Sequence, residues 1–117
     1  YLLHAKLGAC YAAKKYGITD PTVAGAIRYH TTGRPGMTLL EKIVFTADYI
    51  EPNRKLLEHL PAIRQMAFID LDEAVYMILR DTVDYLGESD PDKENEIEHH
   101  TLEAYEYYRK LHEAANA

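Results

Sequence analysis

Apolar residues recur at intervals of three and four along most of the chain, and Gly, Pro and Asp-Pro breaks divide them into helical blocks. Residues 2–16 predict a first helix with His4, Leu7, Gly8 and Tyr11 on one face and Gly17 placed for a left-handed cap. Asp20 before Pro21 predicts the start of a second, along which Val23, Ala26, Ile27 and His30 align. Thr31, Thr32 and Gly33 end it, and Arg34, Pro35, Gly36 and Met37 form a loop. Thr38 with Glu41 is a capping box for a third helix, whose buried face is expected to be Leu40, Ile43, Val44 and Ala47 with Asp48 beside it, and Pro52 stops it.

Residues 53–66 predict an irregular link holding one short helix and interrupted by Pro61. Asp70 or Asp72 caps a longer helix running to about Gly87, with Leu71, Val75, Ile78, Leu79, Thr82 and Leu86 inward. After Pro91 a final helix is expected to turn Ile97, Thr101, Ala104, Tyr108 and Leu111 inward. No segment alternates with period two and no internal repeat appears. The expected class is therefore all-α, a bundle of about five helices.

Composition narrows this further. A chain of 117 residues supports one hydrophobic core, so residues 1–117 read as a single helical domain. No apolar run approaches the ~18 residues of a membrane span, no secretory leader is visible, and Cys10 has no internal disulfide partner. A soluble protein of the reducing cytoplasm is expected. The net charge of −6 is uneven: residues 1–69 hold nine Lys/Arg against five Asp/Glu, residues 70–117 four against fourteen. The basic part, which carries His30 and Asp48, suits a compact anionic ligand, and the overall acidity argues against nucleic-acid wrapping.

The candidate chemistry lies where polar groups interrupt apolar faces. His4, His30 and Asp48 are metal-ligand types on the inward sides of three successive helices. Taken singly, each is more simply a hydrogen-bonded core histidine or a paired aspartate; taken together they are candidates for a shared metal or catalytic site, and spacing alone leaves both readings open. Arg34, Lys42 and Arg54 are candidate anion contacts or ordinary surface charge. Thr31, Thr32 and Gly33 offer hydroxyls and amides at the same edge, or simply a helix C-terminal turn. His59, His99, His100 and His112 read as solvated, Cys10 as a small core residue, and the ten tyrosines as core and interface.

YHTTGRPGMTLLEKIVFTADYIEPNR, at residues 29–54, closely resembles the matching segment of the bacterial YqeK-type HD-domain phosphohydrolases, the symmetrical diadenosine tetraphosphate hydrolases. LLHAKLGA at 2–9, DLDEAV at 70–75 and HTLEAY at 100–105 are similar to that family's other segments. The resemblance implies an HD-domain helical bundle with a centre of two divalent metals, usually iron, with manganese as an alternative. His4 and His30 match the family's two later metal-binding histidines, and Asp48 matches its final metal-binding and catalytic aspartate. The family's first histidine and its His-Asp doublet have no counterpart here, so the chain resembles the C-terminal portion of the domain, the domain's N-terminal helices being absent. On its own it is expected to bind metal weakly and to turn over no substrate.

The resemblance further implies hydrolysis of diadenosine tetraphosphate to two ADP, with Thr32, Arg34 and Arg54 as phosphate contacts. The implied partner is a small nucleotide polyphosphate, with neither nucleic acid nor membrane; oligomeric state stays open, with the tyrosine-rich final helix as a candidate interface for a homodimer. Two other readings stay open: a non-catalytic nucleotide-binding or interaction module, and an HD hydrolase acting on another nucleotide.

Overall fold

The computed structural model describes residues 14, 15, 17, 20–51, 59–89 and 99–117, excepting the side chains of 86–89. Among these residues there are five helices and no strand, as an all-α chain requires: α1 Pro21–Tyr29, α2 Leu39–Ile50, α3 Leu60–Ala67, α4 Leu71–Ser89 and α5 His99–Ala115. The expected helix over residues 2–16 lies mostly outside the described residues, but Lys14 and Lys15 are helical and Gly17 has φ 64°, the left-handed geometry of a C-terminal cap.

Local capping chemistry sets the helix starts. Asp20 accepts the Thr22 N–H at 2.8 Å, with Pro21 at the first helical position where its missing N–H costs nothing. Thr38 and Glu41 close a reciprocal capping box, Glu41 N–H to Thr38 Oγ1 at 3.2 Å and Thr38 N–H to Glu41 Oε1 at 3.3 Å. Asp70, not Asp72, caps α4 by accepting the Glu73 N–H at 3.2 Å. Asp72 instead takes Lys42 Nζ at 2.8 Å and so ties α4 to α2. Pro61 lies in the first turn of α3 and begins that helix, because a proline there displaces no intrahelical hydrogen bond.

Helix α4 is the centre of the packing, touching α2, α3 and α5, while α1 packs on α2. Its Val75, Ile78 and Leu79 are fully buried together with Ile63 of α3 and Tyr108 of α5. At the far end of α2, Arg64 of α3 donates to the carbonyls of Ile50 and Glu51 at 3.0 and 3.1 Å, which satisfies acceptors that a helix C-terminus leaves unpaired.

Two faces differ from expectation. On α2 the buried residues are Glu41, Phe45 and Thr46, while Ile43 is 47% exposed and Ala47 is also exposed. This helix is apolar around most of its circumference, so periodicity alone selects no face; Phe45 and the ion pair of Glu41 select it. On α5 the inward row runs Thr101, Ala104, Tyr108 and then to half-buried His112, leaving Leu111 42% exposed. His112 turns inward because α4 offers it two partners. Its ring stacks on Tyr76 with centroids 4.3 Å apart, and its Nδ1 lies 2.8 Å from Glu73 Oε2. It is not a solvated position.

The inward row of α5 holds the loop after α1 from behind. Thr101 Oγ1 donates to the Thr32 carbonyl at 3.0 Å, and Tyr108 Oη accepts the Met37 N–H at 3.0 Å. Burial pushes the Tyr108 phenol up to about 12, against the opposing effect of that N–H, so it stays neutral at any physiological pH. Tyr108→Phe leaves the Met37 N–H buried without an acceptor. It is expected to cost about 1–2 kcal/mol, read as a lower denaturation midpoint at an unchanged denaturant slope.

Candidate metal and phosphate site

The turn that ends α1 aims the first candidate ligand. Gly33 has φ 72°, a conformation that side chains with a Cβ rarely adopt, and it donates its N–H to the Tyr29 carbonyl at 2.9 Å. A Cβ on it would also lie 3.5 Å from Ala104 Cβ and from Phe45, so the turn packs directly on the core. His30 sits at the cap of α1 with Nδ1 2.6 Å from the Ile27 carbonyl oxygen. A carbonyl only accepts, so Nδ1 carries a proton, and in the neutral ring Nε2 carries the lone pair. That arrangement, one ring N–H held by a backbone carbonyl, is the usual way a protein orients a metal-binding imidazole.

Asp48 comes to the same place from α2, seven residues after Glu41. A cleft of about 190 Å³ is lined by His30, Thr31, Asp48, Tyr49 and Thr82 over Phe45 and Ile78. Phe45 and Ile78 are 4% and 1% exposed and make an apolar floor, while Asp48 is exposed at the rim. The volume is smaller than the ~300 Å³ at which pockets for drug-sized ligands begin, and accommodates an ion or a small anionic group.

His30 and Asp48 are therefore brought together, as their sequence positions suggest. His4 and Arg54 lie outside the described residues. Among the described residues no group of three or more His, Cys, Asp or Glu is placed to hold a metal ion. An imidazole in the right tautomer and a rim carboxylate fit a first-row divalent metal as two of its ligands.

The two remaining sequence candidates face elsewhere. Thr32 is buried, donates its hydroxyl to the Gly33 carbonyl at 3.0 Å and does not line the cleft. Arg34 forms a two-point pair with Glu41, Nε to Oε2 at 2.7 Å and Nη2 to Oε1 at 2.5 Å, and its guanidinium lies 5.0 Å from the Tyr29 ring centroid. The hydrogen bonds to Glu41 raise the Arg34 pKa above its ordinary value. Glu41 is 1% exposed. Burial pushes its carboxyl up, but the hydrogen bonds from Arg34 and Thr38 and the Arg34 charge outweigh this and hold it below the ordinary glutamate value. Gly25 makes room for the pair: a Cβ there would meet Glu41 Cδ at 3.3 Å.

Thr82 was legible only as an inward residue of its helix. It reaches the cleft wall from α4, with its hydroxyl donated to the Ile78 carbonyl at 2.8 Å. The signal that marks His30 and Asp48, a polar group on an apolar face, marks it too.

No family model matches the chain. The chain is 51% identical over 85 residues to the symmetrical bis(5'-nucleosyl)-tetraphosphatase of Halalkalibacterium halodurans, an overlap covering 73% of this chain and 45% of that protein. It is 40% identical over 109 residues to the protein of the same name from Staphylococcus aureus, covering 92% of this chain and 54% of that one. The crystal structure of a predicted HD superfamily hydrolase involved in NAD metabolism from Clostridium acetobutylicum superposes with a TM-score of 0.83 at 41% identity, over 95% of this chain and 56% of that one. The chain thus spans about half the length of the proteins it matches. It belongs to the HD hydrolase superfamily, alongside the bacterial symmetrical bis(5'-nucleosyl)-tetraphosphatases.

Proposed function

We propose that the full natural protein containing this chain is a metal-dependent phosphohydrolase that splits diadenosine tetraphosphate symmetrically into two ADP. The observation that carries this is the cleft in which His30, its tautomer set by the Ile27 carbonyl, meets Asp48 above an apolar floor. The names and identities of the relatives supply the substrate class. His30 and Asp48, with His4, would hold the metal, iron in the first instance and manganese as the alternative. When bound, a divalent metal polarises phosphoryl oxygens and lowers the pKa of water.

The chain's own residues do the rest. His30 and Asp48 converge on the reacting phosphoryl group from two helices, and the Phe45–Ile78 floor keeps bulk water from beneath it. Arg34 and Arg54 are proposed for the phosphates farther along the substrate; Thr32, buried with its hydroxyl on the Gly33 carbonyl, is not among those contacts. Arg34 has two of its five N–H groups engaged by Glu41, which fixes the direction of its outer edge. The cytoplasm as its compartment and a homodimer built on α5 belong to the same proposal. Among the described residues, no helix is long and apolar enough to cross a membrane.

The test is to purify the full natural protein, measure its metal content and incubate it with diadenosine tetraphosphate. ADP is expected as the sole nucleotide product, with loss of turnover on chelation and recovery with iron or manganese. Metal-loaded protein that leaves the substrate intact would point to a non-catalytic module, and ATP plus AMP as products would overturn the symmetric cleavage.

A further inference from the structure

The two threonines of the cleft wall differ in one respect. Thr82 donates its hydroxyl to the backbone, whereas Thr31 Oγ1 is shielded and has no hydrogen-bond partner among the described residues. A shielded hydroxyl without a partner is destabilising, and an apolar side chain of the same shape would relieve the cost. Thr31 nevertheless lies directly after His30, in the wall of the cleft that His30 and Asp48 share. Its neighbour Thr32 is turned to the other side, with its hydroxyl on Gly33 and its carbonyl on Thr101, so these contacts lock the turn and leave Thr31 towards the cleft. One staggered step about χ1 carries the hydroxyl of a threonine into a neighbouring well without moving the backbone.

We propose that Thr31 is a substrate-binding residue whose hydroxyl donates to a non-bridging phosphoryl oxygen of the nucleotide polyphosphate held between His30 and Asp48. This rests on the function proposed above and extends it to a residue whose conformation in the free protein is unfavourable. The hydrogen bond forms only with the anionic substrate, so its full strength falls on binding and reaction while the free protein carries the cost.

The inference predicts opposite signs for stability and activity. In the full natural protein, Thr31→Val is expected to keep or raise Tm while lowering kcat/KM for diadenosine tetraphosphate about 10- to 100-fold. It should also reduce the Tm increase that saturating ADP gives the wild type. Thr31→Ser restores the hydroxyl and is expected to stay within a few-fold of wild type. Thr46 is the control: its Oγ1 is likewise shielded and without a partner among the described residues, on α2 but outside the cleft. Thr46→Val should keep or raise Tm with kcat/KM and the ADP shift unchanged.

Wild-type activity with an unaltered kcat/KM and ADP shift in Thr31→Val overturns the role of Thr31 alone. A lowered Tm in Thr31→Val, with activity lost in proportion, makes the hydroxyl structural and also overturns it. Wild-type protein that leaves the tetraphosphate intact removes the proposed function, and this inference with it.

Discussion

Asp48→Ala in the full natural protein is expected to lower turnover about 10²- to 10³-fold, the scale lost when a group stabilising transition-state charge is removed, with the helical content intact. Asp48 is exposed at the cleft rim and the core beneath it is built by Phe45 and Ile78, so the hydrophobic core does not depend on its carboxylate. Alanine is also the better helix former, by a few tenths of a kcal/mol. Under the proposed function, metal content should fall with activity, since Asp48 and His30 are the two residues of metal-ligand type that line the cleft. Asp48→Asn separates charge from shape: it keeps the size and an oxygen, and its activity should stay close to that of the alanine variant. A cooperative loss of circular dichroism in Asp48→Ala would assign the residue to the fold instead.

Arg34→Met is expected to destabilise the protein by about 3 kcal/mol, the low end for removing one partner of a buried ion pair. The Glu41 carboxylate is 1% exposed and would remain in place without its cation, while methionine replaces only the stem of the arginine. The arginine side chain is 38% exposed, so solvent screens part of the loss. Removing both charges, in Arg34→Met with Glu41→Gln, should recover much of it, because the cost arises mainly from the charge left behind.

The same pair carries a pH signature whose sign differs between the two proteins. In the wild type Glu41 is held below its ordinary value, so its stabilisation is fully present above pH ~4.3 and is lost as pH falls through the lower folded value. In Arg34→Met, burial acts with far less opposition and the carboxyl moves upward. Its penalty is then fully present at neutral pH and is relieved as the group protonates. The gap in Tm between wild type and variant should therefore be widest near pH 7 and narrow steadily towards pH 4. A gap independent of pH would mean that Glu41 is not the charge at issue.

Much of the local architecture is written in neighbouring residues. Asp20-Pro21, the Thr38–Glu41 box and Gly17 act through atoms a few positions away, so their conformations follow from short-range sterics and hydrogen bonding. The prominence of His30 and Asp48 has the same origin, since an ionisable group on an apolar stripe announces a cost that something must offset. What periodicity does not define is rotation about a helix that is apolar nearly all round. Hence Ile43 and Ala47 were expected inward on α2 and lie outward, while Glu41, the least promising buried residue on that helix by type, is enclosed.

The sequence by itself determined the helical class, the caps and the two residues that converge on the cleft, because each depends on contacts within a turn or on residue chemistry alone. Only the tertiary structure decided that Thr31 rather than Thr32 meets the cleft, that Thr82 joins it from α4, that Arg34 is steered by Glu41, and that His112 stacks on Tyr76. Each of those outcomes depends on a partner distant along the chain. The hydrogen bonds from Thr101 and to Tyr108, 69 and 71 residues from their partners, orient the turn, and no local pattern carries that information.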